Sequence, residues 1–175
     1  MDNNKVIPVK VALRIRPLVP REKADACAEC LRSIAGEQQV VLGKDKAFTY
    51  DYVYSQTSAQ ILVYEESVKP LLFNLFKGYN ATVLAYGQTG SGKTHTMGSG
   101  YAALALASTA LNHDEASTFS FNISDFDEVG VIPRLLNDLF TLIDEEQQNN
   151  QDDSFNVKVS FVEVYNEEIK VKIYN

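Results

Sequence analysis

The chain has 175 residues, of which 45% are hydrophobic, 22% charged and 10% aromatic, a profile that excludes disorder and fibrous repeats and fits one ordinary globular domain. Sixteen Lys and Arg stand against 23 Asp and Glu, a net charge of −7, which excludes a whole-chain electrostatic grip on nucleic acid or anionic lipid. No apolar run approaches the roughly 20 residues of a membrane span and the start lacks a secretory apolar segment, so a soluble intracellular chain is expected, with any polyanion held locally.

Residues 8–16 alternate Val9, Val11, Leu13 and Ile15 with polar or small neighbours, predicting a half-buried strand that ends at Pro17. A polar stretch from about Pro20 to Ser33 reads as a helix. It contains both cysteines, Cys27 and Cys30, whose i, i+3 spacing places two structural thiols on one helical face. A redox dithiol needs a thioredoxin-like context and zinc needs four ligands, and neither is present. Gln39–Leu42 and Ala47–Tyr54 flank Gly43-Lys-Asp45 and predict a hairpin with Phe48, Tyr50, Tyr52 and Tyr54 on one face.

Thr57-x-x-Gln60 has the form of a capping box. It opens an amphipathic helix through Ile61, Leu62, Val68, Leu71, Leu72, Leu75 and Phe76, which Pro70 should kink or divide and Gly78 should stop. Ala81–Tyr86 is apolar without alternation, as for a strand buried on both faces in the middle of a sheet. Residues 98–130 form a long loop insertion with an Ala-rich piece at Tyr101–Leu111 that suits a local helix. Helical spacing returns at Ile132, Leu135, Leu136, Leu139, Leu142 and Ile143, with Pro133 in the first turn. After a polar connection at Gln147–Asp153, Phe155–Val164 predicts a strand whose phase shift at Val162 suggests a bulge, and Ile169–Tyr174 predicts a further strand at the terminus. Strands alternating with helices give an α/β fold with a mixed central sheet flanked by helices.

Gly87-Gln88-Thr89-Gly90-Ser91-Gly92-Lys93-Thr94 satisfies the phosphate-loop pattern G-x-x-x-x-G-K-[ST] at every fixed position. It follows a strand candidate and precedes a helix start, as its chemistry requires. The glycines let backbone N–H groups converge on phosphate oxygens, Lys93 supplies a point charge for the β- and γ-phosphates, and the Thr94 hydroxyl can ligate Mg²⁺. The expected ligands are therefore ATP or ADP with Mg²⁺, and a concentrated site of this kind coexists with an acidic chain.

The longer run Gly78–Gly98 resembles the kinesin motor domain. Val9–Pro17, Gly130-Val-Ile-Pro-Arg134 and Val159–Ile169 agree with that family in order and spacing, so the resemblance covers most of residues 1–175. The wording of Phe48–Val53 and Phe76–Thr82 is most similar to the chromokinesin branch. The resemblance implies that Arg14, Arg16 and Pro17 match the family's adenine-contacting Arg-x-Arg-Pro, and that His95 matches the position packing beside the base. On residue grounds alone, Arg14 and Arg16 read as solvated side chains on a strand's polar face, and a lone His as structural.

Kinesins also carry two switches, Asn-x-x-Ser-Ser-Arg-Ser-His and Asp-Leu-Ala-Gly-Ser-Glu, and neither string occurs here. Asp127-Glu-Val-Gly130 fits a bare D-x-x-G but follows no convincing strand. The family's Asn-Glu-Glu-Ile is usually followed by Asp-Leu-Leu, whereas Ile169 is followed by Lys-Val-Lys-Ile-Tyr-Asn175. What the resemblance implies is the incomplete, N-terminal part of a phosphate-loop ATPase motor. Its intact parent would move on microtubules (tubulin), in the cytoplasm and on the cytoskeleton, without direct membrane or nucleic-acid binding by this segment. The alternative is a non-motile nucleotide-binding or interaction chain lacking hydrolysis. Another phosphate-loop enzyme, such as a small-molecule kinase, leaves the other three blocks unexplained.

Overall fold

The computed structural model describes residues 8–98, 127–150 and 154–174. Most of the predicted 98–130 insertion, including the Tyr101–Leu111 helix, lies outside the described residues. In chain order the elements are β1 (Ala12–Arg14), α1 (Pro20–Ala24), β2 (Leu31–Ser33), β3 (Gln39–Leu42), β4 (Lys46–Thr49) and β5 (Tyr52–Tyr54), then α2 (Gln60–Ser67), α3 (Lys69–Phe76), α4 (Lys93–Gly98), α5 (Val131–Asn149), β6 (Val159–Tyr165) and β7 (Glu168–Tyr174). The class is α/β, with both parallel and antiparallel pairing. The described strands form three small sheets: parallel β1–β5, antiparallel β2–β3–β4, and antiparallel β6–β7.

The parallel pair positions Arg14, the first of the candidate site residues. Ala12, Leu13 and Arg14 face Tyr52, Val53 and Tyr54 in register, and the Ile15 N–H extends the ladder by donating to the Tyr54 carbonyl at 2.9 Å. Burial increases from exposed Val9 before β1 to buried Ile15 just after it, a gradient in place of the predicted alternation.

The predicted helix over Pro20–Ser33 is corrected to the short α1, followed by β2. Ala26 adopts φ +52; its N–H donates to the Lys23 carbonyl and that of Cys27 to the Glu22 carbonyl, a Schellman stop built without the usual glycine. Cys27 and Cys30 therefore lie beyond the helix, both exposed, and do not share a helical face. The predicted hairpin is present as β3–β4, in register from Gln39↔Thr49 to Leu42↔Lys46. Its aromatic stripe is divided, however, because the chain leaves that sheet after Thr49 and re-enters the other as β5. There the Tyr52 and Tyr54 rings stack at a centroid distance of 6.3 Å.

Pro70 divides the long helix as expected. With no N–H to continue the ladder, the chain breaks at Val68 between α2 and α3, and Gly78 closes α3 at φ +83. The capping box does not form. Ala59 is the N-cap, without a side-chain capping bond, and Gln60 turns inward. Tyr64 of α2 and Val68 just after it pack with Val131 at the start of α5, with Ile61, Met97 and Leu135 around them. Nearby, the Tyr54 hydroxyl and Ser67 Oγ hydrogen-bond at 2.5 Å, and burial pushes the Tyr54 phenol up to about 12.

Ala81–Tyr86 is not a strand, and Leu84 and Tyr86 are exposed. An apolar run becomes a central strand only with neighbours on both sides, and no described strand pairs with it.

The chain divides into two compact units, residues 1–137 and 138–175. The second contains the rest of α5 and the β6–β7 hairpin. That hairpin pairs one to one from Val159↔Tyr174 to Tyr165↔Glu168, so the expected bulge is absent and the terminal strand is present. Its two-residue turn has Asn166 at φ +51 and Glu167 at φ +65, the left-handed pair that matches strand twist.

Candidate functional site

Gly87–Gly92 runs from the irregular segment after α3 into the first turn of α4, and Lys93, Thr94 and His95 open that helix. The loop closes on itself. The Ser91 N–H donates to the Gln88 carbonyl at 3.1 Å, and Lys93 Nζ donates to the carbonyls of Gly87 at 2.6 Å and Gln88 at 2.9 Å. Gly87 has φ +153, a conformation L side chains rarely adopt, and a Cβ there would lie 2.5 Å from Ser91 Oγ, so any substitution is strained and must displace the serine hydroxyl. Gly90 and Gly92 also have positive φ, giving the backbone the concave path that suits an anion.

A cavity of about 670 Å³ opens beside the loop, within the size range of small-molecule sites. Arg14, Arg16 and Pro17 line one wall, and Ser91, Gly92, Lys93 and His95 line another. The structure thus brings together seven of the residues singled out in the sequence. Gly87, Gln88, Thr89, Gly90 and Thr94 belong to the same loop and helix but do not line this cavity.

Arg14, at the end of β1, is half-buried and makes three hydrogen bonds to protein groups. Its Nη1 donates to Gln60 Oε1 at 2.6 Å and to Thr96 Oγ1 at 3.0 Å, and its Nη2 to the Ser58 carbonyl at 3.3 Å. Burial lowers its pKa from the ordinary arginine value, with Tyr54 acting in the opposite sense. Arg16 forms a forked pair with Glu22, Nη2 to Oε1 at 2.7 Å and Nη1 to Oε2 at 2.9 Å. The Arg16 hydrogen bonds, then the Val19 N–H, hold the Glu22 carboxyl down to about 2. Burial and then the Arg14 charge lower the His95 pKa, opposed by Glu128, which favours the neutral imidazole at neutral pH.

Sequence reasoning missed two residues of this site and set a third aside. Gln60 carried the wrong signal, that of a capping box. Thr96 carried none. Asp127, set aside because its D-x-x-G follows no convincing strand, lines the cavity. The arrangement offers the Lys93 ammonium and the glycine-rich loop on one part of the cavity lining and the Arg14, Arg16 and Pro17 side chains on another. The described residues contain no cluster of three or more His, Cys, Asp or Glu able to hold a metal by themselves, which leaves the Thr94 hydroxyl as the sequence-indicated ligand for a metal carried in with a phosphate. No described helix is long and apolar enough to cross a membrane.

The family model described as the kinesin motor domain matches residues 14–171. Over 174 residues the chain is 47% identical to the chromosome-associated kinesin KIF4 of Xenopus laevis, an alignment covering 99% of this chain and 12% of that protein. Over 165 residues it is 49% identical to the chromosome-associated kinesin KIF4A of Homo sapiens, covering 94% of this chain and again 12% of the relative. Among solved structures it is similar to the Drosophila kinesin family member Kin10/NOD, crystallised with divalent manganese and ADP. That match has a TM-score of 0.65 and 26% identity, over 92% of this chain and 46% of the other.

Proposed function

The chain belongs to the kinesin motor-domain family and is most similar to its chromokinesin branch; from that premise we propose that it is the ATP-binding part of a microtubule motor, taking ATP or ADP with Mg²⁺. The observation that carries this reading is the closed loop Gly87–Gly92 with Lys93 Nζ folded over it beside a cavity of about 670 Å³. The donor set fits a polyphosphate: the glycine-rich backbone approaches closely, and the lysine ammonium already sits over the loop where an anion would lie.

In this reading Gly87, Gln88, Thr89, Gly90, Ser91 and Gly92 cradle the phosphates, Lys93 carries the charge, and Thr94 holds the metal. Arg14, Arg16, Pro17 and His95 form the adenine side. Mg²⁺, when bound, neutralises phosphate charge. The protein of which this chain forms part works on microtubules and belongs to the cytoplasmic cytoskeleton.

Calorimetric titration of Mg-ATP into the chain tests the reading. Lys93→Ala removes a charged donor and should weaken binding by about 10- to 100-fold, the equivalent of one or two charge-assisted hydrogen bonds. Equal affinities for the two chains would refute the site.

A further inference from the structure

One buried amide ties the first turn of α4 to β1 and α2. Gln60 is 2% exposed, accepts from Arg14 Nη1 through Oε1 at 2.6 Å, and donates from Nε2 to the His95 carbonyl at 2.6 Å. Arg14 in turn donates to Thr96 Oγ1 and to the Ser58 carbonyl. Residues 95 and 96 are thereby fastened to the end of β1 and the start of α2. The phosphate loop does not share these bonds: the Lys93 and Ser91 donors go to carbonyls at 87 and 88, inside the loop itself. Two sets of side-chain hydrogen bonds thus shape the lining of one cavity, joined through the backbone bond from the Thr96 N–H to the Gly92 carbonyl at 2.9 Å.

We propose that Gln60 is a positioning residue for the base-binding wall, setting Arg14 and His95 against the flat end of the nucleotide while the Lys93 loop grips phosphate unaided. The inference rests on the nucleotide reading above. The position needs an acceptor for a guanidinium and a donor for a carbonyl in the same side chain, at full side-chain length, and a glutamine amide supplies both. A glutamate there keeps the bond to Arg14 but turns a second acceptor toward the His95 carbonyl; a methionine fills the space and makes neither bond.

The test compares Mg-ADP with inorganic tripolyphosphate, which has the charge but no base, titrated into the full chain and into Gln60→Glu, Gln60→Met and Thr96→Val. For Gln60→Glu and Gln60→Met, Mg-ADP should weaken about tenfold, the scale of one buried hydrogen bond left unmade, with tripolyphosphate unchanged within about twofold. Thr96→Val removes one Arg14 bond at nearly constant shape and should weaken Mg-ADP by about two- to threefold, again sparing tripolyphosphate. If circular dichroism shows the Gln60 variants unfolded, Thr96→Val alone decides.

Parallel loss of both ligands, or unchanged Mg-ADP affinity, overturns the proposal, because a residue that merely supports the fold moves both ligands together. Binding of Mg-ADP but not tripolyphosphate by the unaltered chain also overturns it, since the loop would then have no independent grip. Binding of neither overturns the nucleotide reading and this inference with it.

Discussion

Gly130 has no room for a side chain. A Cβ there would lie 2.8 Å from the Gly98 nitrogen and the Met97 carbonyl carbon, and 2.9 Å from the Met97 oxygen. These are backbone atoms, which cannot rotate away as a side-chain tip can. Gly130→Ala must therefore push the end of α4 from the start of α5, beside the Tyr64, Val68 and Val131 cluster. The expected cost is about 1–3 kcal/mol, as for other overpacked sites, read as a lower urea midpoint at unchanged slope; an unchanged midpoint would show that the segment yields freely. The same scale shows which site residues the sequence reveals. Gly87, Gly90, Gly92 and Lys93 act on one another within a few positions, so their spacing alone exposes them. Gln60 acts on Arg14 and His95, 46 and 35 positions away, and its local context suggested a different partner.

Among the elements, α1 shows why some boundaries are hidden. Its stop depends on Ala26 at φ +52, where a glycine would have signalled the end; an alanine in that conformation carries no such mark. Ala81–Tyr86 misleads in the other direction, because apolar composition records a preference for burial and not the presence of flanking strands. Pro70, by contrast, acts through covalent geometry and was legible at once. The start of α1 is held by Glu22, which accepts from the Val19 N–H at 2.9 Å and pairs with Arg16. The Glu22 pKa is depressed from 4.5 to about 2, so its contribution is present above about pH 4.5 and is lost as pH falls toward 2. Comparing urea midpoints of the unaltered chain and Glu22→Gln across this range should show a gap at neutral pH that closes by about pH 2. A gap independent of pH would remove the carboxylate from the explanation.

For the whole molecule, the relevant fact is what the 175 residues contain. Phosphate-loop hydrolysis needs groups that sense the γ-phosphate and orient the attacking water, and neither kinesin switch string is present. The chain should therefore bind Mg-ATP without microtubule-stimulated turnover. A phosphate-release assay checks this, and release above background in the presence of microtubules would show that other residues here supply those groups. The α/β class was legible because strand and helix periods alternate along the chain. The grouping of the described strands into three sheets was not, because pairing partners such as β1 and β5 meet across some 40 positions, and period alone does not say which strands pair.

If the loop takes phosphate as proposed, the two bonds from Lys93 to the carbonyls of Gly87 and Gln88 make capture an exchange and not a simple addition. An arriving phosphate must draw the ammonium off two dipolar partners before it gains an ionic one, so affinity measures the difference between the two sets of bonds. Dissolved salt weakens the ionic partnership more than the bonds to neutral carbonyls. On that reading the loop should act as a latch keyed to charge density: dilute buffer should favour the phosphate, and concentrated salt should return the lysine to its own backbone.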